Sequence, residues 1–190
     1  MSIVLVGSTS GSITLQEPAV AGTTVLDLPA ASGTFLTTGS SGQSIPKAAL
    51  PTGSVLQVVT AVYSTSATST GSTPVSTGLS ASITPTSSSS KILVLVNQRI
   101  FCSPGGSGNN SAVVRLNRNS TIIFDINRYG LTDSSSAGSG DYFTTMYLDS
   151  PASTSAISYN TTFYKGGTGG TAYCQLDNNP STITLLEIAA

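Results

Sequence analysis

The chain has 190 residues, only 8% of them charged, and a formal net charge of −1, whereas a typical soluble domain is about 25% charged. Such a balance excludes the basic footprint of a nucleic-acid surface and the polybasic patch that holds a protein to an anionic membrane. The length suits one ordinary domain plus an accessory segment.

Helix signals are nearly absent, because Gly, Ser, Thr and Pro interrupt every stretch before apolar residues can recur at helical spacing. Short runs rich in Val, Ile, Leu, Thr, Tyr and Phe suit a pleated, half-buried surface instead. No apolar run approaches the roughly 20 residues of a membrane helix, so no membrane insertion is expected. The opening Met1–Gly7 lacks the basic and long apolar regions of a secretory leader, which makes a cytosolic origin the expectation.

Residues 1–45 contain the strand-like pieces Ile3–Val6, Ser12–Gln16, Thr23–Leu28 and Thr34–Thr37. In an extended Thr23–Leu28, Val25 and Asp27 face one way and Leu26 and Leu28 the other. About 40 residues is the limit below which a chain usually needs outside help to bury a core. The segment therefore reads as an extended β arm that orders against sister chains or a docking platform, with a flexible tail as the alternative. Ile3, Leu5, Leu26, Leu28 and Phe35 are its candidate docking and oligomerisation residues. Residues 46–52 read as a linker, since Pro46 and Pro51 disfavour both helix and ladder.

From residue 53 to 190 the runs lengthen. Strands are expected over Val55–Tyr63, Val75–Thr84, Lys91–Phe101, Ala112–Leu116, Thr121–Ile126, Tyr142–Asp149, Ala156–Tyr164, Thr171–Leu176 and Thr182–Ile188. Asn117–Ser120 reads as a hairpin turn. The nearly continuous apolar start of Lys91–Phe101 predicts burial on both faces, with Ile92–Val96 at the core. This spacing predicts an all-β chain in which the arm precedes an antiparallel β-sandwich, jelly-roll-like. The largest loops are Ser103–Asn110, Thr132–Gly140 and Lys165–Gly170. With so little charge to oppose edge pairing, strand margins shared among sister subunits in a closed homo-oligomer are expected. Cys102 and Cys174 read as small buried strand residues, not as a disulfide framework.

Two stretches carry a family resemblance. Ala21–Gly39 runs as a Gly/Thr-flanked strand, then Leu28-Pro29-Ala30-Ala31, then Gly33-Thr34-Phe35-Leu36-Thr37-Thr38. In the body, Gly53–Val59 and Gly78–Pro85 precede a Ser run and Ser90–Val96, SKILVLV. These pieces resemble bacteriophage tail-fibre and other virion appendage proteins, including capsid decoration proteins. The resemblance implies a virion protein assembled in the host bacterial cytoplasm, a homotrimer by expectation, docked by its arm to tail or capsid proteins. It implies no catalytic residues and no cofactor. From Gly105 onward nothing matches, and partner specificity is expected there. Physical reasons fit the motif as well: Pro29 cannot donate to a ladder and ends the strand, and Gly33 lets the chain turn.

Chemistry is sparse. The absence of histidine removes Ser-His-Asp and Cys-His catalysis in their usual forms, and His-based metal sites. Asp125, Asp133, Asp141 and Asp149 recur every eight residues. A glycosidase pair or a calcium set is the sharper reading, and turn and strand-end aspartates the preferred one. Arg99, Arg115, Arg118 and Arg128 are expected to pair with Asp125, Asp149 or Glu187, or else to form a basic face for an anionic glycan. Tyr129, Tyr142, Tyr147, Tyr159, Tyr164 and Tyr173 cluster in the second half. Core or interface rings are the preferred reading, with Tyr142, Tyr159 and Tyr164 the candidates for contact with a host surface glycan. The leading functional expectation is thus a non-enzymatic, trimeric fibre or knob on a particle. A carbohydrate-binding module and a capsid decoration protein are the alternatives.

Overall fold

The computed structural model describes residues 3–6, 12–15, 47, 50–104, 109–131 and 138–190, with backbone alone at 3–6, 12–15 and 127–131. The chain divides into two units, Met1–Ser44 and Ile45–Ala190. In the first, β1 (Ile3–Val6) pairs antiparallel with β2 (Ser12–Leu15), Ile3 opposite Leu15 and Leu5 opposite Ile13. The expected strands Thr23–Leu28 and Thr34–Thr37, and with them Leu26, Leu28 and Phe35, lie outside the described residues.

The second unit is built from β3 (Val55–Tyr63), β4 (Ala67–Ser69), β5 (Val75–Ile83), β6 (Lys91–Cys102), β7 (Asn110–Arg118), β8 (Thr121–Leu131), β9 (Ser139–Asp149), β10 (Ile157–Lys165), β11 (Ala172–Cys174) and β12 (Ser181–Ile188). All described pairings are antiparallel. One sheet runs β5-β10-β7-β8. In the other, β6 pairs along one edge with β12 and then β11, and along the opposite edge with β9, while β3 and β4 lie outside β12 and β11. β3 with β4 acts as one interrupted strand, and β11 with β12 as another. Counted so, one sheet orders its strands first, last, third, sixth, and the other second, seventh, fourth, fifth. That is the strand order of a jelly roll; the sequence predicts a jelly-roll-like sandwich without fixing the order of its strands. β4 was not expected, and the step from β11 to β12 passes through Gln175, Asp177 and Asn178, each at positive φ.

Strand β6 shows how sequence becomes layer. Side chains alternate across a strand, and Ile92, Val94, Val96, Gln98, Ile100 and Cys102 are all buried between the sheets, while Leu93 and Leu95 on the other side are half-buried. The expected burial on both faces is thus complete on the inner face and partial on the outer one within the subunit. Opposite β6, the inner row of the second sheet supplies Leu79, Ala81 and Ile83 from β5, Ala112, Val114 and Leu116 from β7, and Tyr159 and Phe163 from β10. Phe124 of β8 stacks on Tyr147 of β9, with ring centroids 5.1 Å apart, where the two sheets' open edges approach.

The core also holds a polar seam. Thr161 Oγ1 of β10 donates across to Gln98 Oε1 of β6 at 3.0 Å. Gln98 Nε2 donates to Ser181 Oγ of β12 at 2.9 Å. Thr77 and Thr161 share a hydrogen bond of 2.6 Å between their hydroxyls. Such a chain fixes how one sheet sits on the other, because any slip leaves a buried polar atom unpaired. Thr77 lies in a bulge of β5 opposite Thr161. There Gly78 takes φ +83, and an added Cβ would overlap the Tyr63 ring. Ser76 Oγ and Thr77 Oγ1 accept the N–H groups of Gly78 and Leu79.

Register gives the body two distinct poles. At one, Gly53 donates to the carbonyl of Ala189, and Ala189 to that of Ser54, so the body's first and last strands are tied together. The hairpin turn expected over Asn117–Ser120 forms at this pole as Asn119–Ser120, with Asn117 and Arg118 in β7 and Asn119 donating to the Ser158 carbonyl. At the other pole Ser103 donates to Thr171, Gly166 to Ser111, and Gly169 to Asn109. The strands flanking all three large loops end there. Truncating Leu185, which has no exposed surface, is expected to cost about 2–5 kcal/mol of stability, the range for a buried Leu→Ala cavity. Urea unfolding of Leu185→Ala checks this.

Candidate functional site

The aspartates do not converge. Asp125 of β8 is held by Arg115 of β7, its cross-strand partner, at 2.8 Å. Asp149 receives Arg118 at 3.0 Å and the Tyr159 hydroxyl at 2.6 Å. Asp141, inside β9, accepts the N–H of its chain neighbour Tyr142 at 2.7 Å, and Asp133 lies outside the described residues. Among the described residues no three acidic or cysteine side chains are grouped as metal ligands. Both cysteines are buried and not joined by a disulfide. Burial pushes the Cys102 thiol up to about 11 against a weaker hydrogen bond from the Ala112 backbone. Burial, then the nearby Cys102, pushes Cys174 higher still.

Glu187 is a correction. It was expected to meet an arginine, yet it sits on the inner face of β12 with no exposed surface. Gln57 Nε2 donates to its Oε2 at 2.6 Å, and the N–H and hydroxyl of Thr86 donate to its Oε1 at 2.6 and 2.7 Å. Burial opposes ionisation, but these hydrogen bonds outweigh it and hold the carboxyl below its ordinary value. The signal was in the sequence, since Ser181, Ile183, Leu185 and Glu187 share one parity along a strand. Nearby, Lys47, Leu50, Leu56, Thr86, Ser87 and Ala189 help line an open cleft of about 380 Å³.

The three glycan-candidate tyrosines are not on one surface. Tyr159 is fully buried in the core, so its ring has no free face. Burial first, then its hydrogen bond to Asp149, raises its hydroxyl's pKa. Tyr142 is exposed on β9, with the Arg99 guanidinium 5.7 Å from its ring centroid. Tyr164 lies on β10 in the other sheet under Arg115 at 4.9 Å.

What sequence reading missed is the outer face of the β3-β12-β6-β9 sheet. Cross-strand register aligns it in rows. Val58, Leu186, Leu93 and Leu148 form one row, and Thr60, Thr184, Leu95 and Met146 the next. Val62, Thr182, Asn97 and Thr144 follow. Val58, Val62, Met146 and Leu148 are 57%, 62%, 69% and 51% exposed. Lys91 lies at one end of the face and Arg99 at the other. The outer face of the second sheet is different, carrying Ser76, Ser80 and Ser82 from β5, and Ser158, Asn160 and Thr162 from β10. The clue was present in Val55–Tyr63 and Tyr142–Asp149, whose apolar residues fall on both parities.

No protein-family model matches the chain, and no curated protein does. Among solved structures it resembles the viral particle of infectious bursal disease virus, at 14% identity and TM-score 0.37, covering 70% of this chain and 36% of that one. It also resembles the VP2 subviral particle of that virus, at 13% identity and TM-score 0.32, covering 70% and 37%. For the Gt strain of the virus the values are 12% and 0.34, covering 86% and 45%. The chain thus spans less than half the length of each. Every TM-score is below 0.5, so the functional reading below rests on the chain's own residues.

A lowered carboxyl pKa stabilises the fold above the ordinary carboxylate range, and that stabilisation is lost as pH falls through the lowered value. Glu187→Gln is therefore expected to be less stable than the wild type at roughly pH 7, the gap narrowing at roughly pH 3.5. Urea unfolding at both pH values checks it.

Proposed function

We propose that this chain is a non-enzymatic virion structural protein, a homotrimeric fibre or knob attached to a particle by its N-terminal segment. The single observation that carries this reading is the body's two-pole layout. The chain enters the body at Gly53 beside its last strand, and the strands bounding the three Gly/Ser-rich loops end at the opposite pole. A body tethered at one pole presents its loops outward at the other, where binding residues on a rigid scaffold usually lie. The resemblance of Ala21–Gly39, Gly53–Val59, Gly78–Pro85 and Ser90–Val96 to bacteriophage appendage proteins supports the same reading. Ile3 and Leu5 on β1, with Leu26, Leu28 and Phe35, would supply the apolar docking contacts.

Recognition of a host glycan is a second role for the loop pole. Tyr142 fits it, because Arg99 and the Phe101–Tyr173 ring pair, 6.0 Å apart, lie at the same end of the sheet. Purified particles probed by gold-labelled antibody against the body are expected to carry the protein at fixed sites. Particles assembled with a chain lacking residues 1–44 are expected to lack it. Wild-type particles without the protein would refute the assignment.

A further inference from the structure

We infer that the outer face of the β3-β12-β6-β9 sheet is where copies of this chain pack against one another. The inference rests on the reading of the protein as an assembly of copies, and it moves the contact from the strand margins to a sheet face. Val58, Leu93, Leu95, Leu148, Leu186 and Met146 are brought together at its middle by the cross-strand register, with threonines and Asn97 alongside. An apolar centre beside polar neighbours is the anatomy of a protein–protein interface. On β5 and β10 the middle of the opposite sheet's outer face carries Ser, Thr and Asn instead.

A second copy is the occupant that the dimensions and charges fit. Four strands about 4.8 Å apart, taken over about eight residues of roughly 3.3 Å each, outline about 500 Å². Three such faces closing on one axis, each shared between two neighbours, bury about 1,500 Å² in total, the scale of a standard specific contact. Between Lys91 and Arg99 the face carries no charge, so a copy meets no like charge at the centre of the contact. With three copies around an axis along the strands, each cation lies at an end, where water screens it. A glycan would need a dense set of polar partners at the centre, and the centre is hydrocarbon.

The test uses the full chain at micromolar concentration in analytical ultracentrifugation. Wild type is expected to sediment as a trimer. The double variant Val58→Glu with Met146→Glu should sediment as a monomer with unchanged far-ultraviolet circular dichroism. Ser82→Glu, on the serine-lined face, should remain trimeric. Should the double variant fail to fold, a nitroxide on Met146→Cys, at a site already exposed, is expected to report short distances between copies in pulsed dipolar spectroscopy. A monomeric wild type, as would follow if residues 1–44 covered the face within one chain, overturns the inference. So does a double variant that keeps the wild-type mass, or a spin label with no inter-copy distance. An assembly that dissociates as described but never occurs on particles overturns the virion assignment alone. A particle-borne protein indifferent to the double variant overturns this inference alone.

Discussion

Strand β6 is hydrogen-bonded along both edges, and its two-residue alternation sets everything around it. Its inner row, Ile92 to Cys102, faces the other sheet and supplies the middle of the core. Its outer row, Leu93 and Leu95, has an apolar neighbour on both sides at Leu93, where Leu186 and Leu148 flank it. A strand with hydrocarbon on both parities needs a cover on both sides, because leaving such a row in water forgoes about 25 cal/mol for each Å². Within the subunit only one cover is present among the described residues. The proposed packing of copies would supply the other.

Apolar burial alone would let two such sheets slide, since the hydrophobic effect has no direction. The Thr77–Thr161–Gln98–Ser181 seam supplies the direction. It joins β5, β10, β6 and β12 by side chains with almost no exposure. Arg99 and Gln98 both donate to Ser181 Oγ, so the seam also fixes where β12 begins after the bend at Gln175–Asn178. The geometry of the outer face, including the row of Thr182 and Asn97, follows from that starting point.

Much of the fold was legible because strand sequence and strand burial share a period of two. Ile3–Val6 and Val55–Tyr63 emerge with the expected bounds, and the other expected body strands within three residues at either end, except that β8 runs on from Ile126 to Leu131. Ala67–Ser69 was not legible, because the Ser/Thr/Gly string around it reads as turn and only pairing with β11 makes it a strand. The site was less legible, because a residue type does not reveal its parity relative to a sheet not yet built. Tyr142 and Tyr159 look alike in sequence, yet one lies exposed above β9 and the other in the core. Arg115 and Asp125 were legible by charge as members of ion pairs, but only the β7–β8 register joins them to each other. Glu187 was assigned to the wrong kind of partner because a lone carboxylate inside a sandwich, satisfied by an amide and a threonine, has no charge signature.

The lateral bond between the first and last strands of the body has a mechanical meaning. β3 and β12 run antiparallel over their whole lengths, from Ser181 opposite Tyr63 to Ile188 opposite Val55. Tension entering at Gly53 and resisted at the loop pole runs along β3 rather than across it. The rungs joining it to β12 are then strained together in shear, instead of opening singly as in an unzipping hairpin. A body pulled in this way bears the load along its own axis with its whole seam at once, and gives way most readily to force applied sideways.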